Sequence, residues 1–138
     1  MDIEIVREWL DHVDADLNAA WSCARGPRAS PTRAAYLVQQ AAEKLVKAVL
    51  VALEINPPRT HDIEDLVSLM PSEGPQRRRL ELLRRFTVFA FAFRYPGEDV
   101  SEPEPTVEQV DAWVTEITEL KVDFERWLEQ AAGGGKRG

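Results

Sequence analysis

Cysteine is nearly absent from this 138-residue chain. Cys23 is the single one, so no internal disulfide can form and burial must hold the fold together. Histidine is almost as scarce: His12 and His61 lie far apart in sequence, and no zinc-ligand spacing can be built from them. Neither a metal nor a cofactor is expected. No run approaches the ~18 apolar residues that a membrane-spanning helix needs. The opening MDIEIVREWLDH is acidic where a signal peptide is basic and then apolar, so a cytoplasmic protein is expected. Basic residues are also in the minority, 17 Lys and Arg against 24 Asp and Glu, for a net charge of −7. That balance argues against broad affinity for nucleic acid, which comes from neutralising phosphates with cations, and leaves open a local basic patch.

What is present is a soluble globular composition, 44% hydrophobic and 30% charged, long enough for one domain to bury a core unaided. That domain is expected over residues 1–132. Residues 133–138, GGGKRG, have nothing to bury and are expected to form a disordered tail.

Apolar residues recur at three and four along a first helix: Val6, Trp9, Leu10, Val13, Leu17, Ala20, Trp21 and Ala24. Gly26-Pro27 ends it. Ser30 before Pro31 reads as a cap followed by proline in the first turn, opening a second helix with a stripe at Val38, Ala41, Ala42, Leu45, Val46, Val49, Leu50 and Leu53. Asn56-Pro57-Pro58 stops it. Thr60 is placed to cap a short third helix, with Asp62, Glu64 and Asp65 in its first turns, where the dipole favours negative charge.

A fourth helix begins near Pro75. Its first half mixes arginines with Leu80, Leu82, Leu83 and Phe86; its second half, residues 86–93, is apolar on every side and must be covered on every side. One of those faces is expected to meet a second subunit. Thr106 and Gln109 fit a capping box at the start of a long fifth helix, whose stripe runs through Val107, Val110, Val114, Ile117, Leu120, Phe124, Trp127, Leu128 and Ala131. With no strand pattern, the expected architecture is all-α: an up-and-down four-helix bundle plus one short helix.

Three motifs stand out by their order: the run YLVQQAAEKLVKAVLVAL, then Thr60-His61-Asp62, then Phe93-Arg94-Tyr95-Pro96-Gly97. Together with Trp9, Asp16-Leu17 and the last helix, this pattern resembles the HEPN family, small all-helical prokaryotic proteins often encoded beside a minimal nucleotidyltransferase. The resemblance implies a helical bundle that dimerises with the region after the fourth helix at or near the interface. In nuclease members, an arginine followed four to six residues later by a histidine cleaves RNA. Here Arg94 matches the arginine, but Tyr95, Pro96, Gly97, Glu98, Asp99, Val100 and Ser101 follow it. The imidazole suited to moving protons near neutral pH is missing from that motif, and carboxylates stand in its place.

Each candidate residue has a structural reading beside the functional one. Arg94 at a helix end suits the negative pole of the dipole; functionally, Arg94 and Tyr95 form a nucleotide or phosphate pocket, clamp and stacking face. His61 is a local capping or packing group, or a general base borrowed from another loop to serve Arg94. His12 with Asp16 is a solvated pair, and Asp16 is alternatively free to meet a lysine of the second helix. Gln40, Lys44 and Lys47 form a polar stripe, with Glu43 and Lys47 spaced for a helix ion pair; Lys44 is the further phosphate candidate. Arg77, Arg78, Arg84 and Arg85 would share one strip of a regular helix, a solvated face or the contact for an acidic partner or RNA.

The expected function is therefore a homodimeric binding module, the helical partner of a minimal nucleotidyltransferase in a toxin-antitoxin style system. The alternatives are a metal-independent ribonuclease using Arg94 with a substitute acid or base such as His61, and a ligand-free docking scaffold.

Overall fold

The computed structural model describes residues 1–90 and 104–135, and among these the chain is all helical. Helix α1 spans Ile3–Cys23, α2 Pro31–Ala52, α3 Ile63–Ser68 and α4 Pro75–Leu80; a 3-10 segment covers Glu81–Thr87, and α5 runs over Val107–Gly135. The last helix thus extends into the glycine run that the sequence reading assigned to the tail.

The predicted starts of α2 and α5 form as the sequence dictates. Ser30 accepts from the Arg33 N–H ahead of α2, and the Thr106 and Gln109 side chains reciprocally satisfy each other's backbone N–H, at 2.9 and 3.1 Å. Gly26 takes φ +85°, a conformation open to glycine at no steric cost, and turns the chain from α1 toward α2. The start of α3 differs from expectation. Its cap is Asp62, whose carboxylate accepts from the N–H of Glu64 and Asp65, while the Thr60 hydroxyl accepts from the N–H of Asp62.

Helix α2 is the axis of the bundle. It packs most extensively on α1 and also meets α5, α3 and the 3-10 segment. Its burial therefore wraps around the helix instead of following one stripe: besides the expected residues, Ala34, Ala35, Gln39, Glu43, Ala48 and Ala52 are buried. The polar stripe expected on this helix is partly inside the protein.

The fourth helix is not regular. After six residues it tightens into a 3-10 segment of seven, longer than such segments usually run. The apolar spacing accounts for this. Leu80, Leu83 and Phe86, three residues apart, are all buried; three residues per turn stack them on one line, whereas an α-helix would rotate each away from the last. Phe86 then meets Trp113 of α5 edge to face at 5.5 Å, and Phe89 packs on the same indole at 5.2 Å, which anchors the segment to the last helix.

Candidate functional site

The best-organised polar cluster sits in the core wall of α2. Gln39, Glu43 and Lys47 are spaced by four and share one face of the helix. Glu43 is buried and serves three donors. Its Oε1 accepts from Gln39 Nε2 at 3.2 Å and lies 2.9 Å from His61 Nδ1; its Oε2 accepts from Lys47 Nζ at 3.2 Å. Gln40 extends the chain by donating to Gln39 Oε1 at 2.8 Å. A carboxylate accepts and does not donate, so in this contact His61 Nδ1 carries a proton and Nε2 is the ring nitrogen that takes no part in it. The His61 side chain is 48% exposed while Glu43 is 4%: the buried acid orients a histidine that solvent can reach.

The loop is held from both sides. Thr60 and Asp62 fix the backbone around His61, and the Ile63 N–H donates to Thr87 Oγ1 at 3.2 Å, tying the histidine-bearing turn to the end of the 3-10 segment. Chemically, this arrangement can accept a proton at Nε2 or hold an anion beside an imidazole of fixed tautomer.

The other candidates fare differently. Lys44 pairs with Asp16 at 2.7 Å, both side chains largely covered. This is the lysine partner foreseen for Asp16, and it engages the ammonium considered for phosphate. The arginines do not form one strip, because residues seven apart no longer superimpose once the helix tightens to three per turn. Arg77 donates to the Met70 carbonyl at 3.2 Å, and Arg84 lies 3.8 Å from Glu81. Arg85 makes a two-pronged contact to Glu116 of α5, at 2.9 and 2.7 Å. Arg78 is exposed and has no ion pair among the described residues. Arg94 and Tyr95 lie outside the described residues, as do Phe91 and Phe93. No group of His, Cys, Asp and Glu among the described residues could hold a metal ion.

Sequence reasoning saw Glu43 only as the partner of Lys47 and missed its role under His61. Its neighbours Gln39, Gln40, Lys44 and Lys47 make a polar stripe that reads as solvated, so no local signal marked the burial of this carboxylate.

The family model described as HEPN domain matches residues 6–132. No curated protein and no solved structure gives a match. The match spans nearly the whole chain, and the chain belongs to the HEPN domain family.

Proposed function

We propose that this HEPN domain acts as a homodimeric binding module, the partner of a minimal nucleotidyltransferase in a two-protein system of toxin-antitoxin style. In this reading it binds nucleotide or RNA phosphate through Arg94 and Tyr95, with His61 contributing at the same ligand. The observation that carries the reading is the 2.9 Å contact between buried Glu43 and exposed His61. A fold has little reason to aim a buried carboxylate at a solvent-reachable imidazole unless that imidazole is to be held ready. Further support comes from the Ile63–Thr87 hydrogen bond, which ties the histidine's loop to the segment leading toward residue 94.

The same contact favours a second reading, a metal-independent ribonuclease in which His61 takes the place of the histidine missing after Arg94. Glu43 supplies the orienting carboxylate that a general base needs.

The deciding experiment is a calorimetric titration of ATP and of the nucleotidyltransferase into wild type and an Arg94→Ala, Tyr95→Ala double variant. Losing a charged hydrogen-bond partner of a phosphate should weaken binding roughly ten- to a hundredfold, with helicity intact by circular dichroism. Unchanged affinity in a folded variant would leave Arg94 as a helix cap and overturn the reading.

A further inference from the structure

Between Arg77 and Arg85 stand five arginines and a single glutamate, on a chain of net charge −7. The change from α4 to the 3-10 segment sorts them. Residues three apart stack once the helix tightens, so Leu80, Leu83 and Phe86 take the buried side. Two columns are left outward, Arg79 with Leu82 and Arg85, and Arg78 with Glu81 and Arg84. Arg77 and Arg85 are engaged within the fold, by the Met70 carbonyl and by Glu116. Arg78 and Arg79 are exposed and have no ion pair among the described residues. Arg84, 52% exposed, has only the 3.8 Å contact to Glu81. Among these cations Leu82 is 67% exposed, more than any other large hydrophobic of the described residues.

We propose that this face docks an acidic amphipathic helix of a partner protein, its leucines on Leu82 and its carboxylates on Arg78, Arg79 and Arg84. The residues are other than Arg94 and Tyr95, so the proposal does not rest on the nucleotide-binding reading above. Charge complementarity sets the sign of the occupant: arginines without carboxylates of their own, on a chain otherwise acidic, call for acids from outside. The leucine sets its class. An RNA backbone has nothing apolar to lay on Leu82, and Glu81, 50% exposed, repels phosphate. A protein helix carries carboxylates and leucines on one face, and arginine, weakly hydrated and able to hold a carboxylate with two N–H groups, is the cation that protein interfaces favour. The spacing agrees. Arg78 and Arg84 are about 10 Å apart along the axis at 1.5 to 2.0 Å per residue, and residues seven apart on an α-helix span about the same distance. Acids at i and i+7 with leucines at i+3 and i+4 therefore share one face and match this one.

The test is fluorescence anisotropy of a labelled helical peptide built on that pattern, titrated with wild type, an Arg78→Glu, Arg79→Glu double variant and Leu82→Ser. The comparison probes are the same peptide with lysine for each glutamate and a single-stranded oligouridylate. The acidic peptide is expected to bind wild type at micromolar concentration and the lysine peptide not to bind. The double variant should weaken the acidic peptide roughly ten- to a hundredfold, and Leu82→Ser severalfold. All three positions are exposed, so these substitutions leave the core intact, and circular dichroism checks it. Acidic-peptide affinity unchanged in the double variant, or no binding at millimolar concentration, overturns the proposal. Oligouridylate that binds more tightly than the peptide and is lost in the double variant gives the face to RNA. A wild-type dimer that becomes a monomer in the double variant, by sedimentation, gives it to a second copy. Either result overturns the acidic-helix assignment.

Discussion

Glu43 Oε1 and His61 Nδ1 stand 2.9 Å apart across the boundary between core and solvent, and the same carboxylate holds Lys47 and Gln39. One acceptor thereby fixes a helix face, a loop and a cation.

Removing that acceptor strands donors that water cannot easily reach. Glu43→Ala leaves Lys47, 12% exposed, as a largely buried cation without its carboxylate, and is expected to cost about 3 kcal/mol. His61→Ala gives up a half-exposed ring and should cost under about 1 kcal/mol. Urea unfolding of the two variants measures both. Equal, small losses would show that the carboxylate is not the organising group.

The parts of the fold that follow from local chemistry were legible in the sequence. Ser30-Pro31 and the Thr106–Gln109 box are decided within a few residues, and both form as expected. The tightening of the fourth helix was not legible. It depends on Trp113, far along the chain, offering Phe86 and Phe89 a surface and so rewarding a three-residue period over propensity. The burial of Gln39 and Glu43 was hidden for a similar reason: it needs α3 and the 3-10 segment to cover a face of α2 that a stripe count treats as outward.

A stable dimer is expected in solution. Residues 86–93 are apolar but for Thr87 in sequence, and among the described residues Leu82 is 67% exposed and Leu69 43%, surface that favours cover. Sedimentation equilibrium at tens of micromolar decides it, and a purely monomeric species would count against the shared interface.

Stability should fall at alkaline pH through Lys121. Burial pushes its pKa down, but Asp14 at 3.0 Å and Glu125 at 3.3 Å outweigh that and hold it above the ordinary 10.5. A raised folded-state pKa stabilises fully below the unfolded value and is lost as pH climbs through the folded one. Asp14 is half exposed, so Asp14→Asn should cost only about 0.5 kcal/mol near neutrality. Thermal midpoints of wild type and variant from pH 8 upward are expected to converge once the pH has risen past the raised pKa of the Lys121 ammonium. A gap that persists there would point to packing instead of charge.

Purified protein is expected not to cleave single-stranded RNA measurably. The family's cleaving arrangement sets a histidine four to six residues after the arginine, and here those positions hold Glu98, Asp99 and Val100, two of them acids that repel a phosphate backbone. His61 is oriented by Glu43, but an oriented base accelerates a reaction only when the scissile group is within its hydrogen-bond reach. Incubation of labelled RNA with wild type, with and without EDTA, makes the measurement. Cleavage that survives EDTA and vanishes in both Arg94→Ala and His61→Ala would show that the two residues work as a pair. It would move the chain from the binding reading to the ribonuclease. Cleavage that survives both substitutions would come from a contaminant, because no proton-transfer scheme built on this site works without either group.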